Sequence, residues 1–391
     1  MHILEIPSFF PPCGGLFCLD QAKALAALGH EVRILSNVQL GITVNTKAFF
    51  TLPTGRYEHL MDGITVYQSY QRGLPRLVNY NVHRWLYIVQ RMFIDYVHRY
   101  GCPDVLHAHC GKWAGYAAML ISEQESVPYV ITEHLPLMSL EEEFGPTPSE
   151  AWQIPMLKEA YKHAAMVVPV SEELVEDTAC YYGKDYRWQW ISNTIDTHYF
   201  AYQSRPSRDG RPFRFCCLAD YFYRKGYDVL FEAFRQLQQQ GLHLELHVAG
   251  LFTDGRDCLR EIRRLGLKNV KTYGRLNKEG VRDLLYRSDA LVLASRSEVQ
   301  PLVLLEAMST GIPVIATECV PRCQRLDACS IVPIGDATAL AGAMRSLIER
   351  PAPDGERISR LVAALASPEV VGSKLSELFS QLKSQRPEQV V

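Results

Sequence analysis

Two glutamates, Glu298 and Glu306, bracket the otherwise apolar run SEVQPLVLLEAMSTGIPVIAT at residues 297–317. A half-buried carboxylate needs partners, and the hydroxyls of a ligand can supply them. Spacing alone slightly favours a plainer account, a loop charge at Glu298 and a solvated helix face at Glu306. Tyr223-Arg224-Lys225-Gly226 sets two cations just ahead of a helix candidate. Cations and free helix N–H groups together suit a diphosphate, although solvated loop cations are common. His107 and His109 stand two apart at the end of a strand candidate, so alternation puts both on one face. Two histidines can begin a metal site, but the sequence offers no third ligand, and no metal is expected. Thr132-Glu133-His134 ends the next strand candidate and is expected to face the same ligand edge. Gly14-Gly15 lies between the first strand and first helix, where glycines admit close backbone approach to a phosphate or sugar, or simply make a turn.

These residues need elements to position them. Ala290 to Ala294 is a short continuous apolar run, as a strand buried on both faces requires. Pro301 suits the first position of a helix, Leu302 to Thr310 continue it, and Gly311 with Pro313 end it. Ile312 to Ala316 is the following strand, which completes a βαβ unit. Glu298 then sits at the carboxyl end of a strand, the edge where open α/β sheets bind ligands. The N–H groups of Leu302 and Val303 beside it offer an anion site.

The same order recurs along the chain. HILEI, VRIL, PDVLHAH, PYVITEH and MVVPVS read as strands of a first series, and RFCCLAD, LHLELHVAG, VKTYGRL and the 290–294 run as strands of a second. Residues 201–212, AYQSRPSRDGRP, are polar and proline-rich and read as a linker. The expectation is therefore two doubly wound domains, 1–200 and 213–365, followed by a weakly helical tail over 366–391.

With 391 residues and 47% hydrophobic content, two cores are expected rather than one. The formal net charge of −2 argues against a nucleic-acid binder. Eleven cysteines without a Cys-x2-Cys pair read as reduced thiols, and no apolar run is long enough to span a bilayer. The first strand begins at His2, which leaves no room for a leader, and a cytoplasmic location is expected. The stretch 71–101 mixes arginines with aromatics; it can pack on the first sheet or rest on an anionic membrane surface, and packing is favoured.

Glu298-x7-Glu306, running into EAMSTGIPVIAT, resembles the signature of the family 4 retaining glycosyltransferases, the group 1 enzymes of GT-B fold. The resemblance extends to His107-x-His109, to Arg224-Lys225-Gly226 and to Asn193-Thr194-Ile195-Asp196 with Phe200. It implies two Rossmann-like domains facing across a cleft, acceptor on the first and donor on the second, with a tail that crosses back to the first domain. By the same resemblance Glu298 contacts the donor sugar and Glu306 the ribose hydroxyls. Lys225, Arg224 and the N–H groups of Leu302 and Val303 hold the diphosphate, and Arg275 marks the loop that holds the base. Gly15 lies over the phosphates, His109 reaches the reacting sugar, and His134 is an acceptor-side candidate. The Asn193–Phe200 stretch is a structural turn. Three features depart from the pattern: Glu298-Val299-Gln300-Pro301 replaces Glu-Gly-Phe-Gly, Asp220 stands where an arginine is usual, and CVPRCQ replaces a Gly-Gly loop.

The function so implied is metal-independent, retaining transfer of a hexose from a UDP- or GDP-sugar to a hydroxyl of a glycan, lipid-linked or small-molecule acceptor. No cofactor is implied beyond the nucleotide-sugar co-substrate. The location implied is the cytoplasm or the inner face of its membrane, in polysaccharide biosynthesis. Two rivals remain: an epimerase or hydrolase of the same fold, and a non-catalytic sugar-nucleotide binder. An NAD oxidoreductase is disfavoured, because Gly-x-Gly-x-x-Gly is absent.

Overall fold

The structure, a computed structural model, describes residues 1–42, 46–205, 210–351 and 353–384. Contacts divide the chain into two units, Met1–Thr194 with the stretch from Pro368 onward, and Ile195–Ser367. Of the stretch 201–212, residues 206–209 lie outside the described residues, as do 385–391 of the tail.

In unit 1 the described strands are β1 His2–Pro7, β2 Glu31–Leu40, β3 Gly55–Met61, β4 Ile64–Arg72, β5 Val105–His109, β6 Tyr129–Glu133 and β7 Met166–Pro169. They lie in the order β3-β4-β2-β1-β5-β6-β7. All pairs are parallel except the β3–β4 hairpin. Alternation sorts the side chains. Leu4, Ile6, Leu106 and Ile131 join one buried cluster, while Ile3, Val105 and Val130 join another on the opposite face. The second face is covered by the helices Leu16–Ala27 and Pro368–Ser384. The latter buries Val371, Leu375, Leu378, Phe379 and Leu382, a single stripe at helical spacing.

The basic, aromatic stretch forms the helix Val78–Tyr100. Its Trp85, Val89, Met92, Phe93 and Tyr96 are buried in the first cluster, so its apolar face packs on the sheet. Leu74, Leu77, Val78 and Tyr80, at its amino end, remain exposed.

In unit 2 the described strands are β8 Phe213–Leu218, β9 Leu244–Ala249, β10 Val270–Thr272, β11 Ala290–Leu293, β12 Val314–Thr317 and β13 Cys329–Val332. They pair in parallel in the order β10-β9-β8-β11-β12-β13. Helices bury both faces. Pro301 proves to be the extended cap of the helix Leu302–Ser309 rather than its first residue. Each unit is a doubly wound α/β layer structure whose strands end, at their carboxyl edge, in the loops that carry the candidate residues.

Candidate functional site

In unit 2 the loop after β8 turns through a short helical stretch, Tyr223–Lys225, into the helix Tyr227–Gln239. Gly226, at φ +64°, makes the turn possible. A Cβ there would lie 1.8 Å from the Ala294 carbonyl oxygen, so only glycine lets this loop press against the end of β11. The Arg296 N–H donates to the Arg224 carbonyl at 2.7 Å and fastens the two loops together. Lys225 Nζ consequently donates to Glu298 Oε1 at 2.6 Å, with the Glu298 side chain only 6% exposed. Ser295 Oγ donates to the same oxygen at 2.6 Å. Both charged residues stand out in the sequence, but neither their pairing nor Ser295 does. Arg224 is half-buried, and among the described residues no carboxylate pairs with it.

At the strand-end edge of the same unit a pocket of about 250 Å³ is lined by Asp220, Gly250, Arg275, Val303 and Glu306, among others, while Arg224, Lys225, Glu298 and Leu302 are not among its lining residues. It thus brings together loops that follow β8, β9 and β10 and the first turns of the helix Leu302–Ser309. Leu304 N–H bonds the Pro301 carbonyl, so the Leu302 and Val303 N–H groups lie ahead of the first intrahelical bond. Asp220 accepts the Leu251 N–H at 2.8 Å, which turns this carboxylate toward the backbone of the next loop. The pocket therefore offers a carboxylate for hydroxyls and, at Val303, the amino end of a helix for an anion.

The Asn193–Phe200 stretch makes the turn expected of it. Asp196 Oδ1 accepts the Tyr199 N–H at 3.0 Å, and Phe200 is buried.

In unit 1 Gly15 caps the helix Leu16–Ala27 at φ +83°, and a Cβ would fall 2.0 Å from the Phe9 carbonyl oxygen. His109 is fully buried. Its Nε2 lies 2.7 Å from Glu5 Oε2 and its Nδ1 lies 3.2 Å from His134 Nε2. His107 Nδ1 is 2.8 Å from the same Glu5 oxygen, and its Nε2 is 2.6 Å from Thr132 Oγ1. Glu5, unnoticed in the sequence, is thus the third member of the histidine cluster. Parallel register puts it opposite His107. Its signal was an acid inside an otherwise apolar strand. Burial alone would raise the Glu5 carboxyl, but His107 and His109 hold it down at about 2. Burial, with His107 beside it, pushes His109 down to about 4. Burial also holds His134 well below the usual histidine range, with His109 and His107 adding to the effect.

Glu133 does not face a ligand. Its carboxylate accepts the Gly111 N–H at 2.9 Å, the His134 N–H at 2.8 Å, the Leu135 N–H at 2.7 Å and the Tyr161 hydroxyl. It clamps the loop after β5 to the loop after β6. Those loops, with Ser8, Gln39 and Trp85, line a cavity of about 540 Å³ that also receives Lys112 and Trp113. Aromatic faces beside polar groups are a surface on which a saccharide can rest.

Both units carry their candidate residues at the strand ends of doubly wound sheets, the arrangement of the GT-B glycosyltransferases. Residues 15–199 match the family "Glycosyltransferase Family 4", and residues 212–350 match "Glycosyl transferases group 1". The chain belongs to the group 1, family 4 glycosyltransferases. It is 26% identical over 332 residues to the glycosyltransferase TuaC of Bacillus subtilis (strain 168), assigned provisionally to teichuronic acid biosynthesis, covering 81% of each chain. It is also 26% identical over 381 residues to a glycogen synthase of Mycobacterium tuberculosis, covering 90% of this chain and 87% of the relative. Among solved structures it resembles the sucrose-phosphate synthase of Thermosynechococcus elongatus, with a TM-score of 0.76 at 19% identity over 99% of this chain and all of the other. It also resembles Anabaena HepE in complex with UDP-glucose, with a TM-score of 0.71 at 17% identity over 97% of this chain and all of the other.

Proposed function

We propose that the chain moves a hexose, with retention of configuration, from a nucleotide-sugar to an acceptor hydroxyl, donor on unit 2 and acceptor on unit 1. The observation that carries this reading is the pocket that joins Glu306, Val303 and Arg275 at the strand-end edge of unit 2. In it Glu306 grips the ribose hydroxyls and Glu298 contacts the donor sugar. Lys225, Arg224 and the Leu302 and Val303 N–H groups take the charge that builds on the leaving diphosphate. That charge grows as the sugar bond breaks, so these groups favour the transition state over the ground state. The reading needs neither a metal nor a cofactor other than the co-substrate. With no carboxylate placed as an obvious nucleophile, it takes the form of front-face displacement, the leaving phosphate oxygen helping to deprotonate the acceptor. The complexes of HepE with UDP and UDP-glucose support a UDP-sugar, with a GDP-sugar as the alternative.

On unit 1 we assign Gly15, His109 and His134 to the reacting end. The Trp113 cavity takes the body of a glycan or lipid-linked acceptor. Leu74, Leu77, Val78 and Tyr80 are exposed, Arg76 and Arg84 lie near them in sequence, and no acid occurs between Asp62 and Asp95. Such a patch suits an anionic lipid surface at the inner face of a membrane. Among the described residues no helix is long and apolar enough to cross one.

The experiment is a thermal-shift screen of UDP-, GDP- and ADP-sugars, followed by nucleoside diphosphate release with and without acceptor. A ligand that binds only the folded chain raises its melting temperature. Release that depends on acceptor supports transfer. Release at the same rate without acceptor identifies a hydrolase.

A further inference from the structure

Two histidines of unit 1, His109 and His134, form a short chain of contacts that begins at one buried charge. Glu5 on β1 is fully buried, and its Oε1 has no hydrogen-bond partner among the described residues. Its Oε2 is 2.7 Å from His109 Nε2, and His109 Nδ1 is 3.2 Å from His134 Nε2. His134 Nδ1, the far end, is a buried nitrogen without a hydrogen-bond partner among the described residues. Phe17 stacks on the His134 ring at 3.8 Å.

We propose that Glu5 is a positioning residue that sets the proton on His109, and through it the proton on His134. A carboxylate accepts and does not donate, so the nitrogen that faces it carries the hydrogen. His109 is then the Nε2–H tautomer, and its Nδ1 is a lone pair. His134 donates its Nε2–H to that lone pair, which leaves His134 Nδ1 a lone pair in turn. One buried charge thereby fixes two rings and ends in an acceptor that a substrate hydroxyl would satisfy. Both histidines stay neutral, in agreement with the burial that lowers them. The other groups around the chain are His107 on β5 and Thr132 on β6, bonded to each other, Cys18 on the helix Leu16–Ala27, and Cys110 after β5. Burial raises both thiols, and from the helix Pro368–Ser384 the uncharged Phe379 ring lies against His107.

A metal at Glu5, His107 and His109 is the competing account, since their ligand atoms all lie within 4.8 Å of one another. With metal–ligand distances of about 2.1 Å, tetrahedral ligand atoms stand roughly 3.4 Å apart. Glu5 Oε2 is instead 2.7 Å and 2.8 Å from the two nitrogens, the spacing of direct hydrogen-bond or ion contacts.

The catalytic consequence rests on the transferase reading, but the protonation states do not. The test is ¹⁵N NMR of the histidine side chains in the full chain, from pH 6 to 8, assigned with His109→Gln and His134→Gln. The wild-type spectrum should show both rings neutral, with the proton on Nε2. A proton on His109 Nδ1, a charged His109, or one equivalent of tightly bound metal in the purified protein would overturn the proposal. Glu5→Gln should move part of the His109 proton to Nδ1. It should also lower turnover by about tenfold with donor KM little changed, a smaller loss than the roughly 10²–10⁴-fold that a positioned acid–base group contributes. Wild-type tautomers and turnover in that variant would also overturn it. Should the variant fail to fold, the wild-type spectrum still decides. A chain with the stated tautomers but no sugar transfer would sink the transferase reading and leave the positioning role standing.

Discussion

Lys225 and Glu298, 73 positions apart in the chain, meet at 2.6 Å. The ammonium ion is therefore held in place at the strand-end edge of unit 2 before any ligand arrives. Preorganised charge costs no reorientation at the moment of reaction. Arg224, next to it, has no carboxylate partner among the described residues, so it can share the diphosphate. Arg224→Ala and Lys225→Ala should each lower turnover on the order of 10²-fold. The double variant should lose less than the product, because both act on one group. Single-turnover kinetics at saturating donor measure this. Wild-type turnover in Arg224→Ala would leave the diphosphate to Lys225 and the backbone.

Gly226→Ala should destabilise unit 2 and displace Lys225 together. The left-handed backbone alone costs an alanine roughly 1–2 kcal/mol. The 1.8 Å overlap with the Ala294 carbonyl adds to that, and backbone on both sides cannot give way easily. Calorimetric melting should show a lower transition, and donor turnover should fall with it. A melt and turnover equal to wild type would show that the 223–226 loop is not pressed on β11.

Acid should weaken unit 1 from just below neutral pH. His109 titrates near 4 when folded and near 6.5 when unfolded, so between these values the unfolded chain binds more protons and stability rises with pH. The difference amounts to roughly 3 kcal/mol at most for a buried group. Glu5, at about 2, adds a further loss below the ordinary carboxylate range, since its folded form stays ionised as the unfolded form protonates. Urea unfolding at pH 7.5 and pH 5 should show the loss, and His109→Gln should lose less over that interval. Equal losses in both proteins would contradict the assigned protonation.

The succession of most parallel strands along the chain, and the loops at their carboxyl ends, were legible because their signals are local. An apolar run, a proline, a glycine and a charge at a strand end are each visible within ten residues. What escaped depended on distant partners. Glu5 has meaning only once β1 lies beside β5, and Glu133 only once the loops it clamps are folded. The helix Val78–Tyr100 was ambiguous because arginines and aromatics suit a sheet face and a lipid surface alike. The hairpin β3–β4 alternates polar and apolar residues at a sheet edge, where no continuous apolar run announces a strand. The tail reads as only weakly helical, and nothing in its sequence names the helix Leu16–Ala27 as the partner of its buried stripe.

The exposed amino end of the helix Val78–Tyr100 predicts salt-sensitive membrane contact. The full chain should sediment with vesicles rich in anionic lipid at low salt and release as salt screens the arginines. Arg76→Glu with Arg84→Glu should weaken that binding without changing the melting temperature appreciably. No sedimentation even at low salt would remove lipid surfaces from the account.

Glu306 carries the central claim, because the nucleotide reading of the unit 2 pocket depends on its carboxylate. Calorimetric titration of UDP and GDP into wild type and Glu306→Ala tests it directly. The account predicts that wild type binds at least one of them and that Glu306→Ala binds it more weakly by roughly 2–4 kcal/mol, the worth of a charge-assisted grip on two hydroxyls. Equal nucleotide affinity in both would contradict the account.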